Sequence, residues 1–163
     1  MSILQDVSKK LGVEPSWLWA LIQFESAGNP AARNKITGAR GLIQFMPATA
    51  RELGYKNADE IVEKYPTFEK QLETPVYNYL KRYAPFPTKQ SLYLSVFYPA
   101  ARKWTTGAFF PALVIKQNPG IDTVQSYINH VEGIKTPKKT IGILSVGIIG
   151  IIAYMLFKSI LPK

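Results

Sequence analysis

The chain contains no cysteine and a single histidine, His130. Without thiols, neither a disulfide framework nor a thiolate metal site can form, and this absence speaks neither for nor against a place outside the cytoplasm. A Ser-His or Cys-His catalytic pair would depend on one imidazole, and zinc would lack its usual nitrogen and sulfur ligands. No metal and no cofactor is therefore expected, which leaves carboxylate chemistry. Internal repeats are absent, and no stretch of five or more residues alternates apolar and polar side chains convincingly, so half-buried strands are not expected. The start, Met1-Ser2-Ile3-Leu4-Gln5, lacks a basic segment followed by an apolar core, and no Sec-type signal peptide is expected.

The 163 residues suit one domain plus an appendage. Apolar residues reach 47% and charged residues only 19%, but much of the apolar share sits in the last two dozen positions. The formal net charge is +9. Residues 1–134 hold all 11 acids and 15 of the 20 basic residues, so the remaining positive charge flanks the apolar tail. That distribution suits anionic lipid or anionic cell wall. The basic residues are scattered and form no reading motif, so nucleic acid is not an expected partner.

Apolar spacing predicts a mostly α chain. Ile3, Leu4, Val7 and Leu11 recur at helical intervals behind a capping Ser2, and Gly12 stands where a helix would stop. Pro15 opens a second helix through Ser26, closed by Gly28-Asn29-Pro30. Residues 31–41 read as a loop, and a helix follows from Pro47 to Gly54. Residues 57–65, 68–83, 88–98 and 122–131 carry further helical patterns, with Pro75 starting or kinking the second of them. Residues 134–139 read as a linker. Residues 140–161 would span about 33 Å as a helix, against about 30 Å of bilayer hydrocarbon. The expected organisation is a domain over 1–133, a linker, and one C-terminal transmembrane helix over 140–161 in contact with a lipid bilayer.

Glu25 follows Leu18 by seven residues, Leu21 by four and Ile22 by three, which puts its carboxyl on the apolar face of its helix. Desolvation would keep it protonated near neutral pH, as a general acid requires. Spacing alone leaves open that Glu25 is an ordinary boundary residue.

Two segments, Glu25-Ser26-Ala27-Gly28-Asn29-Pro30-Ala31-Ala32 and Thr37-Gly38-Ala39-Arg40-Gly41-Leu42-Ile43-Gln44-Phe45-Met46-Pro47-Ala48-Thr49-Ala50, resemble the signature segments of the lytic transglycosylases with the soluble-transglycosylase, goose-lysozyme-like fold. The resemblance implies a lysozyme-like α-helical domain whose substrate is the peptidoglycan glycan strand. It implies Glu25 as the catalytic acid that cleaves the MurNAc-GlcNAc bond and, as carboxylate, activates the MurNAc 6-hydroxyl to form 1,6-anhydroMurNAc. By the same resemblance Gln44 hydrogen-bonds sugar amides and Met46 packs on their methyl groups. Gly38 and Gly41 let backbone amides approach the sugar or simply satisfy turn geometry, and Ser26 orients Glu25 or ends its helix. A third family segment, Ala-Tyr-Asn-Ala-Gly, has its counterpart in Phe97-Tyr98-Pro99-Ala100-Ala101. Tyr98 keeps the aromatic hydroxyl that the family places near the acid, while Pro99 replaces the asparagine and Ala101 the glycine. Trp17, Trp19 and Trp104 are expected in the core rather than on sugar, and His130 at the surface.

A muralytic enzyme with a lipid anchor and no signal peptide poses a conflict of address. A membrane-containing bacteriophage, carrying the enzyme in its virion membrane beside other virion proteins and using it during entry, resolves that conflict. The alternative location is the bacterial inner membrane, with the domain facing the periplasm. Alternative functions are a hydrolytic muramidase, which needs a second carboxylate, a non-catalytic glycan-binding or structural virion protein, and a membrane-perturbing protein acting through its tail.

Overall fold

A computed structural model describes residues 2–133 of the chain. It opens with α1 (Ile3–Leu11), capped by a reciprocal Ser2–Gln5 capping box and closed by a left-handed Gly12. After α2 (Pro15–Ser26) come α3 (Pro47–Glu52), α4 (Ala58–Lys64), α5 (Phe68–Gln71), α6 (Tyr77–Lys81), α7 (Lys89–Phe97), α8 (Ala112–Gln117) and α9 (Val124–Gly133). Asn57, Thr67 and Thr88 each accept a backbone N–H at the start of the helix they cap, satisfying donors that the first turn leaves free.

α2 is the centre of the fold. It packs against α1, α7 and α9, and Leu18, Leu21 and Ile22 are completely buried. Its sequence is apolar around most of its circumference, as a helix wrapped by others requires. Phe24 meets Tyr127 edge-on at 5.8 Å and Phe97 stacks on Tyr127 at 4.3 Å, which joins α2, α7 and α9 through rings.

The helical pattern expected over 68–83 is present as three pieces. Pro75 has no N–H, and its ring would press on the carbonyl four residues back. A π turn, Leu72–Val76, widens the backbone there and joins α5 to α6. Residues 31–46 form a compact loop closed by isolated antiparallel bridges between Arg33 and Arg40 and between Arg40 and Phe45. Among the described residues β-structure goes no further than such bridges, in line with the mostly α expectation. α8 and the 3-10 turn Pro99–Lys103 were not expected. Trp17 and Trp104 lie half-buried against the core, but Trp19 is 45% exposed, contrary to its expected core position. His130 is exposed.

The expected architecture of a helical domain plus one C-terminal transmembrane helix requires correction. Among the described residues no helix is long and apolar enough to cross a membrane. The longest of them, α2, has 12 residues and extends about 18 Å, well short of the hydrocarbon thickness. The linker at 134–139 and the span at 140–161 lie outside the described residues.

Candidate active site

Glu25 is the penultimate residue of α2, and it is only 2% exposed. Its Oε1 makes no hydrogen bond within the protein. Burial pushes its pKa from 4.5 up to about 8, because a carboxylate removed from water loses its solvation and gains no partner in return. At neutral pH the group is therefore mainly the neutral acid.

Two cavities meet at this side chain. A pocket of about 20 Å³, room for about one water molecule, is lined by Glu25, Ile43, Gln44, Phe45, Met46, Thr49, Tyr79 and Val96. An open cleft of about 470 Å³ is lined by Glu25 and Gln44 together with residues 26, 27, 29 and 32–36, a volume in the range of small-molecule sites. Glu25 and Gln44 border both, and Glu25 is the only acid in either lining.

The local chain path explains how a helix end becomes the floor of a cleft. Ala27 turns left-handed at φ 54° and its N–H donates to Gln23 O at 2.9 Å, stopping α2 one residue after Ser26. Ser26 Oγ donates to Ile22 O at 3.2 Å and to Leu42 O at 2.9 Å, tying the helix end to the returning loop. Gln44 is left-handed at φ 50°, an uncommon conformation for a residue with a side chain. Its Nε2 donates to Gly41 O at 3.0 Å, which holds the amide against the cleft. Met46 caps α3 in extended conformation, forms a small apolar pair with Ala39, and reaches the pocket.

The structure thus brings Glu25, Ser26, Gln44 and Met46 together. Gly38 and Gly41 line neither cavity. Gly41 serves a close approach instead: at φ 77°, a Cβ there would lie 2.5 Å from Gln71 Oε1. Tyr98, at the end of α7, lines neither cavity and packs with Trp104 and Phe110 at ring distances of 5.7 and 5.9 Å.

Three contributors escaped the sequence reading. Tyr79 lines the pocket and donates its hydroxyl to Ser95 O at 2.7 Å. Tyr127 donates to Tyr93 O at 3.3 Å, and its phenol is held in the protonated form by burial, then by the charges of Glu25, Tyr93 and Tyr79. Gln71, completely buried on α5, accepts from Leu42 N at 2.9 Å and donates to Pro30 O at 2.7 Å. A buried polar side chain with both ends bonded to one loop acts as a staple for it. The signals were present but weak: Tyr79 and Tyr127 lie on apolar helix faces, where a tyrosine reads as core.

The site is thus one buried, mainly neutral carboxyl bordering an open cleft in a helical domain, an arrangement that can serve general-acid chemistry. Residues 2–78 match the family model described as the Transglycosylase SLT domain. The chain is 43% identical over 51 residues to a protein named transglycosylase from Enterobacteria phage PRD1, a match covering 31% of this chain and 19% of that one. It is 35% identical over 68 residues to an endo-type membrane-bound lytic murein transglycosylase A from Klebsiella pneumoniae, covering 39% of this chain and 33% of that protein. The matched segments span between about a fifth and a third of the length of these relatives. No solved structure gives a significant match. Over residues 2–78, the chain is therefore similar to the Transglycosylase SLT domain family.

Proposed function

We propose that this protein is a peptidoglycan lytic transglycosylase that uses Glu25 as both general acid and general base. The carrying observation is a carboxyl that is 2% exposed, unpartnered at Oε1, and open to a cleft with no second acid in its lining. Protonated Glu25 donates to the glycosidic oxygen between MurNAc and GlcNAc. The C1–O bond breaks, and the sugar takes on oxocarbenium character. The resulting carboxylate then removes the proton of the MurNAc 6-hydroxyl, and O6 bonds to C1. The product is 1,6-anhydroMurNAc, and no water is consumed. Nucleophile and electrophile belong to one sugar, so proximity replaces the second carboxylate of ordinary glycosidases. Gln44 and Met46 contact the sugar substituents, and Ser26 acts through the loop it holds.

The named relatives support this reading, since one is a transglycosylase and the other a lytic murein transglycosylase. The phage relative favours a virion-borne enzyme that opens the wall during entry.

The test is mass spectrometry of the fragments that the full chain releases from peptidoglycan. Anhydro ends, lighter than hydrolysed ends by one water, are the expected products. Glu25→Gln should lower release by at least about 100-fold, the usual contribution of a general acid. Reducing ends in place of anhydro ends would make the enzyme a hydrolytic muramidase, and saturable glycan binding without fragments would make it a glycan-binding module.

A further inference from the structure

The cleft carries more than the acid. Its lining includes the loop from Ala32 to Ile36, which brings two cations, Arg33 and Lys35, to the cleft. Both are exposed, and neither joins the ion pairs found among the described residues, which are Arg40–Asp59, Lys64–Glu60 and Lys89–Glu132. The one acid of the lining is Glu25, which burial keeps mainly neutral at pH 7. The cleft therefore holds two positive charges with no negative charge opposite them.

The backbone that carries these cations is fixed. Asn34 lies between them, and its Oδ1 accepts from Ile36 N at 3.0 Å and Thr37 N at 3.1 Å. Its backbone N–H donates to Ala39 O at 2.9 Å and its carbonyl accepts from Gly38 N at 2.9 Å. Arg33 is bridged to Arg40 across the loop, whose own guanidinium is engaged by Asp59 at 3.3 Å. Arg33 and Lys35 are thus presented by a preorganised loop, which lowers the cost of ordering on binding. Ile36 beside them is 85% exposed, an apolar surface at the same rim.

We propose that Arg33 and Lys35 form a subsite for the carboxylates of the peptide that a muramic acid residue carries on its lactyl arm. This rests on the glycan-cleaving reading above and names the part of the substrate that reading leaves unassigned. A strand engaged at Glu25 brings its lactyl substituent into the same cleft. The guanidinium and ammonium groups meet the peptide carboxylates there, and Ile36 meets the alanyl methyl groups. Arg33 supplies planar two-pronged recognition and Lys35 a point charge.

The test is calorimetric titration of the full chain carrying Glu25→Gln, so that binding is read without turnover. The ligands are peptide-bearing glycan oligomers, the same oligomers with their peptide carboxylates converted to amides, and amidase-treated oligomers that keep only the lactyl carboxylate. Adding Arg33→Gln with Lys35→Gln should weaken binding of the first ligand roughly three- to tenfold, the scale of two exposed charge pairs, and leave the second unchanged. Equal affinity for the first two ligands, or affinity unmoved by the paired substitution, overturns the subsite. An equal loss on the amidase-treated oligomers assigns the anion to the lactyl group and overturns the peptide assignment. Anhydro products from the wild-type chain test the chemistry separately: charge-dependent binding without them sinks the transglycosylase reading and leaves the subsite standing.

Discussion

At the scale of the residue, the protein depends on keeping one carboxyl out of water without a charge partner. The pKa of about 8 at Glu25 comes from desolvation, so two pH dependences follow, and both run downward as pH rises. In the proposed reaction the acid form does the first chemical step, so glycan cleavage should persist through neutral pH and fall as pH rises through about 8. A rate profile that instead collapses near pH 4.5 would mean the carboxyl is solvated. Folding responds as well, because between pH 4.5 and about 8 the native state binds a proton that the unfolded chain has released. The Glu25 contribution to stability should therefore be greatest below pH 4.5, decline to about pH 8, and level off above it, a loss on the order of 5 kcal/mol. Denaturant melts at pH 5 and pH 9 should show this decline in the wild type and a much smaller one in Glu25→Gln. Spacing to Leu18, Leu21 and Ile22 placed Glu25 beside an apolar face but left its burial open, which the structure shows as 2% exposure. The aromatic company of Tyr79 and Tyr127 was not legible in the sequence, since it depends on where the tertiary fold carries α6 and α9.

At the scale of the element, the telling unit is the junction of α5, the π turn and the loop of residues 30–44. Gln71 ends α5 immediately before the π turn that accommodates Pro75, and from there it staples Leu42 and Pro30. Gln71→Ala would leave the buried Leu42 N–H and the partly buried Pro30 C=O without this partner and should cost about 1 to 3 kcal/mol in urea melts. Gly41→Ala should cost a comparable amount, because a left-handed φ of 77° and the 2.5 Å approach to Gln71 Oε1 both oppose a Cβ. The two sites touch, so the double variant should be clearly less destabilised than the sum, which a double-mutant cycle measures. Full additivity would mean that the close approach is not what holds Gly41. The helix starts were legible at Ser2, Pro15, Pro47 and Thr88, where caps and prolines act locally. The division of residues 68–81 was only half legible: Pro75 announces a disturbance, but its repair by a π turn depends on what α5 and α6 pack against.

At the scale of the whole molecule, charge is unevenly used. Under the proposed function, a net +9 would draw the chain toward an anionic wall over distances that salt screens, with a Debye length of about 10 Å at 0.1 M and about 3 Å at 1 M. KM for peptidoglycan should therefore rise several-fold between about 0.05 and 0.5 M salt while kcat changes little, since the acid at the cleft floor is shielded from bulk ions. A KM that stays flat across that range would deny the net charge any part in wall capture. The helical periodicity, several caps, the place of Glu25 beside an apolar helix face and the segments that carry the family resemblance were legible in the sequence, because each is written in neighbours along the chain. The packing of Gln71 against Gly41 and of Tyr98 against Trp104 and Phe110 is visible in the tertiary structure alone. The same holds for Arg33 and Lys35 lining the same cleft as Glu25. The physical reason is common to all three: burial and charge balance are properties of what several separate segments enclose, and no single stretch of chain records its enclosure.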